Sequence, residues 1–507
     1  MSDDAPLVVG VDVGSQGTCA QALAPDGGLV ASTYAAHELA YPRPGWSEQD
    51  PAEWTRALVQ TLAEVRLAAA GRPIAAVSFG SQLDGLVATD RGGRALRPAL
   101  IWSDRRAGAE CERVAESVDV DGLRARTGCN LDPGHVAAKI AWLRAHEPDV
   151  DAEVATYLLP GSWVACQASG ELAVDPSNAS STGLLDPRRM VWCEEACAAF
   201  DVDPARLAPV RPAHAVLGHI APWLREATGL SATAQVVLGA GDEMAAVLGA
   251  GVVEPGEVCD VMGTAEPVCA VTDEPDGDPP PLVELHPHAA PDRWLLENPG
   301  WLSGGAYRWF RDELGGPEIA RAAATGADVY ELLNTLARGA PAGADGVSWV
   351  PALSGAMTPE WNARARAGWY GLTAAHGRAH MARALLEGNA MALRDVVEAI
   401  AASGLALSGL VCVGGGARGD LLLSIRAHVT GLPVCRPLDV ETTARGAAML
   451  AAAGAGLHPS VAAAAGAMAG PRAEPLQPEP ELRAVYDELH ARHLRLYAAL
   501  RPLFELQ

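Results

Sequence analysis

Val236–Gly251, reading VVLGAGDEMAAVLGAG, lies near the middle of the 507-residue chain, and its interpretation decides the fold. The apolar run Val236–Leu238 predicts a buried strand that leads into Gly239-Ala240-Gly241. Asp242 and Glu243 then open a predicted helical segment, Met244–Leu248. An acid at the mouth of a helix can satisfy its free N–H groups as a cap. The same pattern also suits chemistry, with glycines bringing the backbone close to a ligand while Asp242 faces a cleft as a base. In isolation the cap is the simpler reading. The flanking sequence reverses that preference.

On the N-terminal side, Leu7–Val13 predicts a strand carrying Asp12, followed by the turn Gly14-Ser15-Gln16-Gly17-Thr18. Cys19–Leu23 and Leu29–Tyr34 then read as further strands, so the pattern is an antiparallel meander. No helix follows the first glycines, unlike a dinucleotide-binding fingerprint. A small hydroxyl-bearing turn can aim several N–H groups at a phosphate, with Asp12 placed for a hydrated magnesium ion. An ordinary hairpin turn is the plain alternative. Pro51 suits the first turn of a helix over Ala52–Ala70. Ile74–Phe79 predicts a buried strand with Gln82-Leu83-Asp84 at its C-terminal end, where ligands of α/β sheets gather. Pro98–Ile101 predicts another strand, delivering Asp104 and Arg106 either to the same pocket or to a structural ion pair. Lys139–Leu143 reads as a core-packing helix with one surface charge, and Val174–Leu185 as an irregular loop on the site's side.

On the C-terminal side the pattern repeats. Gly256–Val261 and Ala265–Val271 predict strands about the turn Met262-Gly263-Thr264, which suggests an internal duplication. Asp273–Pro281 predicts a loop, and His286 and His288 a solvent-side strand. Gly304 and Arg308 fall at the start of a helix, and Gly368–Gly371 predicts a turn before the long helix His380–Ser403. Leu410–Val413 reads as a buried strand followed by Gly414-Gly415-Gly416-Ala417-Arg418-Gly419-Asp420, glycines suited to a nucleotide's approach to the backbone. Residues 451–480 predict a short helix and linker, and Leu482–Leu503 a closing helix.

Chain length makes two domains the default, here 1–252 and 253–507. The net charge of −24 argues against a nucleic-acid or anionic-membrane partner. No run is long and apolar enough to span a bilayer, and the acidic N-terminus does not resemble a secretory leader. Ten scattered cysteines without a CxxC pair predict reduced thiols and a cytoplasmic location. Lys139 is the only lysine, so a Gly-Lys-Ser/Thr phosphate loop is excluded.

Together these stretches resemble the FGGY family of carbohydrate kinases over nearly the whole chain, clearly to about residue 450. The most specific match is Ala367-Gly368-Trp369-Tyr370-Gly371-Leu372, continued by His380-Met381 and Ala384-Leu385-Leu386-Glu387. Trp46–Pro51 is also typical, and Lys139-Ile140-Ala141-Trp142-Leu143 partly keeps the first signature. Within the family the chain is most similar to xylulokinases. The resemblance implies an α/β fold of two ribonuclease-H-like domains around a cleft. It implies transfer of phosphate from ATP, with Mg2+, to a terminal hydroxyl of a ketopentose such as D-xylulose. It casts Asp242 as catalytic base and Asp12 as the metal-orienting acid of the first phosphate turn. Gly263 and Thr264 become the second phosphate turn. By the resemblance Gly304, Arg308, Gly416 and Asp420, with Gly415 beside them, are expected to contact nucleotide, Leu83 and Asp84 to be the sugar-contacting pair and Glu243 the residue after the base. Gln82, Asp104 and Arg106 join the expected sugar side from the shared strand-end pocket. Family analogy also allows a homodimer.

Two positions depart from the xylulokinase pattern. Asp84 stands where His is usual and Glu243 where Asn is usual, exchanging hydrogen-bond donors for acceptors. Glycerol kinases carry an acid at the position of Asp84, so ribulose and linear polyols such as erythritol or glycerol are the alternative substrates. The rival from another class is an ATPase of the actin or heat-shock type without a sugar substrate.

Overall fold

The computed structural model describes residues 5–275 and 279–506. Residues 276–278, part of the expected acidic loop, therefore lie outside the described residues, as do the first four. The main sheet of the first half contains β1 (Leu7–Val13), β2 (Gly17–Leu23), β3 (Leu29–Ala36), β4 (Ile74–Ser81), β5 (Val216–His219) and β6 (Gln235–Val237), with the two-residue strand Ala240–Gly241 also paired to β4. They align as β5-β6-β4-β1-β2-β3. The meander β1-β2-β3 is antiparallel, whereas β1, β4 and β6 run parallel. The second half provides β7 (Glu257–Val261), β8 (Val268–Thr272), β9 (Glu284–Pro287), β10 (Trp294–Asn298), β11 (Gly409–Val413) and β12 (Val434–Cys435). Their order is β9-β10-β8-β7-β11-β12, again an antiparallel meander joined to parallel strands. The duplication suggested by the two glycine turns is thus present in the topology. One detail differs: β8 pairs with β10, leaving β9 at the edge.

Helices cover these sheets: α1 (Pro51–Ala68), α2 (Val136–His146), α3 (Pro176–Ser181) and α4 (Asp242–Gly249) in the first half. The second half adds α5 (Ser303–Leu314), α6 (Val329–Arg338), α7 (Arg378–Ala402), α8 (Asp420–Thr430), α9 (Thr443–Gly454), α10 (Val461–Met468) and α11 (Pro480–Phe504). Helix α1 shows why local sequence suffices. Asp50 accepts the N–H of Ala52, Pro51 occupies the first turn, and Trp54, Leu58, Leu62 and Val65 recur on one buried face. Each such side chain contributes roughly 1.5–3 kcal/mol by leaving water. Among the described residues no helix is long and apolar enough to cross a membrane, and all ten cysteines are free.

Three expectations are corrected. Val174–Leu185 contains helix α3, because Asp175 accepts the N–H groups of Ser177 and Asn178 behind a proline-led first turn. Gly368–Tyr370 is a strand paired with Ser348–Val350 rather than a turn. His286 and His288 are buried, not solvent-facing. Their strand docks on the first half, where His286 Nδ1 lies 2.8 Å from Ser180 Oγ and His288 Nε2 lies 3.0 Å from the Val252 carbonyl oxygen.

We propose that the domains divide near residue 252, between the two sheets, although one later helix belongs physically to both. Helix α9 lies across β1 and α4 with almost no side chain between the backbones. A Cβ at Gly10 would sit 1.7 Å from the Ala444 carbonyl oxygen, and one at Gly249 would sit 2.0 Å from that of Thr442. Around this crossing, Val8, Val247, Leu248, Met449 and Leu450 join Cys259, Cys269 and Val411 in one apolar cluster shared by both sheets.

Candidate active site

The parallel strands of the first sheet end side by side. Asp12 of β1 pairs with Gly80 of β4, and Ala240-Gly241 pairs with Gly80-Ser81 on the other side. This alignment brings Asp12 and Asp242 to the same strand-end edge. Gly239 has φ +100° there, and a Cβ would stand 1.9 Å from the Phe79 carbonyl oxygen, so only glycine fits. Asp242 is the first residue of α4, with Gly241 in the capping position, and its Oδ1 accepts the Glu243 N–H at 3.0 Å. Both acids are costly to ionise in this setting. Burial pushes the Asp12 carboxyl up to about 7, with Glu441 adding to the effect. Burial, and then the charge of Asp12, holds the Asp242 carboxyl well above the usual carboxylate range. Asp12 Oδ1 is buried without a hydrogen-bond partner. A bound cation would satisfy that oxygen and relieve the repulsion, so the residues fit a metal ion.

The Gly14–Thr18 turn, expected to bind phosphate, divides into two parts. Ser15 and Gln16 remain accessible and Gly14 donates its N–H to Gly17 O at 3.0 Å. Gly17 is packed under Tyr34, and the buried Thr18 hydroxyl lies 2.9 Å from His37 Nε2, so neither side offers a free group to a ligand. The Ser15 carbonyl accepts Gln49 Nε2 at 2.6 Å, and Gln49 Oε1 accepts Gln82 Nε2 at 2.8 Å. Through Gln49, Gln82 therefore ties the turn to the end of β4 while its own Oε1 stays without a partner.

Leu83 packs on Gly241, where any Cβ would meet its side chain at 2.3 Å. Asp84 follows with φ +57°, a strained conformation for a residue bearing Cβ, and is held from two directions. Its Oδ1 lies 3.2 Å from His135 Nδ1, and its carbonyl oxygen accepts Lys139 Nζ at 2.6 Å. Lys139 is thus no surface charge. Its fully buried ammonium also donates to the carbonyls of Ile101 at 2.9 Å and Gly134 at 2.5 Å. Burial pulls it down to about 8 although Asp84 and Asp104 oppose the shift.

Asp104 and Arg106 form the ion pair that was one of the two alternatives. Asp104 is fully buried and accepts Arg106 Nε at 2.9 Å and Nη2 at 2.7 Å, plus the Ser47 N–H at 2.7 Å. The Arg106 guanidinium lies 3.6 Å from the Trp46 ring centroid and also meets Glu48 at 2.8 Å. Both carboxylate oxygens of Asp104 are engaged, whereas Arg106 Nη1 is buried without a hydrogen-bond partner.

In the second half, Gly263, Thr264, Gly304, Arg308, Gly415, Gly416 and Asp420 all line one cavity of about 790 Å³. The Met262–Thr264 turn meets both the start of α5 and the Gly414–Gly419 loop. A Cβ at Gly304 would sit 2.1 Å from Gly263 O, and Gly416 donates its N–H to Met262 O at 3.0 Å. Thr264 Oγ1 accepts Arg308 Nη2 at 3.2 Å. Asp420 points largely to solvent and pairs with Arg436 at 3.0 Å. Tyr307, Asn334, Leu386 and Asn389 also line the cavity; they come from α5, α6 and α7, and no local motif marks them as neighbours.

The Met262-Gly263-Thr264 turn is clamped by a buried ionic triad. Buried Arg426 of α8 donates to Asp260 at 2.7 Å and to Glu266 at 2.6 Å, on either side of Met262-Gly263-Thr264. Removing one partner of a buried ionic triad leaves uncompensated charge. Arg426→Met is therefore expected to cost about 3–5 kcal/mol, read by chemical denaturation, and to weaken nucleotide binding. Unchanged stability would contradict the clamp.

Comparison with known proteins agrees with this geometry. The model of the FGGY family of carbohydrate kinases, N-terminal domain, matches residues 7–249, and that of its C-terminal domain matches residues 260–455. The chain is 29% identical to a xylulose kinase of Escherichia coli K12 over 98% of this chain and 100% of that protein. It is 35% identical to a glycerol kinase of Aromatoleum aromaticum over 89% of this chain and 90% of that protein. The crystal structure of xylulose kinase from Rhodospirillum rubrum superposes with a TM-score of 0.89 at 30% identity, covering 98% of this chain and 100% of that one. The two family models together match most of the chain, and relatives of nearly full length share its sequence, so the chain belongs to the FGGY family of carbohydrate kinases.

Proposed function

We propose that this carbohydrate kinase phosphorylates a terminal hydroxyl of a neutral ketopentose, D-xylulose first among them, with ATP as donor. The observation that carries the reading is the placement of Asp242 beside Asp12 at the strand ends, with the glycine-lined cavity in the other half. In this mechanism the Asp242 carboxylate takes the proton of the acceptor hydroxyl as its oxygen attacks the γ-phosphorus, and the bond from that phosphorus to the β,γ-bridging oxygen breaks to release ADP. The raised affinity of Asp242 for protons makes it a stronger base than an ordinary carboxylate. The N–H groups of Ser15, Gln16 and Thr264 would hold phosphate oxygens, those of Gly14 and Gly263 being already donated to Gly17 O and Val261 O, and Gly304, Arg308, Gly415 and Gly416 would hold the rest of the nucleotide. Asp12 would hold magnesium, which when bound neutralises phosphate charge.

On the acceptor side, Gln82, Leu83, Asp84 and Glu243 would face the substrate. Asp84 and Glu243 accept hydrogen bonds from hydroxyl groups. An aldonate would bring another carboxylate to an edge already holding Asp12, Asp84, Asp242 and Glu243, so a neutral acceptor is favoured. A linear polyol is the second reading, favoured by the acid at Asp84. The likeness to xylulose kinases over nearly the whole chain supports the ketopentose.

A coupled ADP-release assay over D-xylulose, L-xylulose, D- and L-ribulose, glycerol, erythritol and gluconate, with a no-sugar control, tests the proposal. Selective turnover of D-xylulose is expected. Selective turnover of glycerol or erythritol would move the assignment to the polyols. ADP release indifferent to all acceptors would overturn it in favour of a sugar-independent ATPase.

A further inference from the structure

The edge strands of the second sheet carry a polar row unrelated to the nucleotide cavity. Glu284 of β9 and Glu297 of β10 are register partners, and Cys269 of β8 pairs with Glu297 on its other side. Partnered residues share a face, and His286, two residues from Glu284, joins them. The opposite face carries Leu285 and Leu296, which pack into the second half's own core. The polar face instead docks on the first half, and its carboxylates and imidazoles are all buried.

Two branches leave this row. His135 bridges Asp84, at 3.2 Å, and Glu284, whose Oε1 is 3.6 Å from His135 Nε2. Glu284 also accepts the Asn130 N–H at 2.6 Å. His286 Nε2 lies between Glu284 at 3.3 Å and Glu297 at 3.6 Å. Glu297 in turn meets Glu243: an oxygen of each and Cys269 Sγ all lie within 4.8 Å of one another. The chain of contacts Asp84–His135–Glu284–His286–Glu297–Glu243 therefore leaves the first half at one acceptor-side acid and returns at the other. Burial opposes charge on His135, but Asp84 and Glu284 hold its imidazole well above the usual range. Burial likewise opposes charge on Glu284, yet His135 and His286 hold it well below the usual carboxylate range. Among four carboxylates and two imidazoles, each imidazole sits between two acids.

We propose that Glu284, His286 and Glu297 are positioning residues for acceptor recognition: the second half fixes the two acids, Asp84 and Glu243, that the first half presents to the substrate. The proposal rests on the reading that those two acids face the acceptor. Its consequence is that specificity, though displayed by the first half, depends on the docked edge of the second sheet.

Two double-mutant cycles on the full-length protein test it, with kcat and both KM values measured for the acceptor that gives turnover and for ATP. D84N and E243Q are expected to raise the acceptor KM and leave the ATP KM unaltered. E284Q is expected to raise the acceptor KM about tenfold, consistent with the loss of one charge-assisted contact, and to add nothing in the D84N background. E297Q is expected to behave likewise with E243Q. If D84N and E243Q leave the acceptor KM unchanged, the acceptor-side reading itself fails. If they raise it while E284Q and E297Q do not, or if the effects multiply, the positioning proposal alone is overturned. A parallel rise in the ATP KM would also overturn it. Should one variant fail to fold, the other cycle decides; should both fail, the row is purely structural and the proposal falls.

Discussion

Asp242→Asn is expected to lower kcat by about 10²- to 10⁴-fold, the range a positioned general base contributes, with KM for acceptor and ATP nearly unchanged. The amide keeps the size of the carboxylate and can still accept the Glu243 N–H at the start of α4. It cannot take a proton from the attacking hydroxyl. Stability supplies an internal control because its sign is opposite to that of damage. The folded-state carboxyl of Asp242 titrates above its unfolded value, since burial and Asp12 penalise its charge. Below the unfolded value both states are protonated and the penalty is absent. As pH rises the unfolded carboxyl ionises first, and the penalty grows until the folded one ionises. Free of ligands, Asp242→Asn should therefore melt higher than the parent at neutral pH, with the difference vanishing in acid. Near-normal turnover in a folded variant would remove Asp242 from the mechanism.

Gly446→Val is expected to produce the largest loss without touching any ligand-facing group. A Cβ at Gly446 would stand 1.8 Å from the Ala245 carbonyl oxygen and 3.0 Å from the Gly249 nitrogen. Both obstacles are backbone, so no rotamer change relieves them and helices α4 and α9 must move apart. Overpacking commonly costs about 1–3 kcal/mol and more where nothing yields, and valine sits at the upper end. Because Asp242 opens α4, kcat should fall together with melting temperature. Gly466→Ala is the matched control, since nothing lies within 4 Å of its Cβ position and α10 is helical there. An unchanged melting temperature for Gly446→Val would refute the close crossing.

Much of this architecture was legible in the sequence for a physical reason. Buried parallel strands are uninterrupted apolar runs, and Leu7–Val13, Ile74–Phe79 and Leu410–Val413 have that form. The glycine turns that end them were equally visible, since close backbone approach demands glycine. What local pattern could not reveal was convergence of groups from distant segments. Lys139 interrupts an apolar helix and reads as a surface charge, because the three carbonyls that receive it come from residues 84, 101 and 134. His286 and His288 alternate as a solvent-facing strand would, and only the docking of the other half makes that face interior. Asp104 and Arg106 were visible as a pair, but whether they faced ligand or each other depended on Trp46 and Ser47 arriving from elsewhere. Likewise, His135, Glu284 and Glu297 carry no motif.

Helix α9 also sets the order in which the protein can be built. The strands it covers leave the ribosome well before residues 443–454 are synthesised, so the first sheet emerges with one apolar face bare. Val8 and Gly10 wait for a partner encoded near the other end of the chain. A nascent first half is thus an aggregation-prone intermediate rather than a finished unit. Folding of the first half is tied to completion of translation, and a fragment cut between the two sheets would inherit the same exposed face.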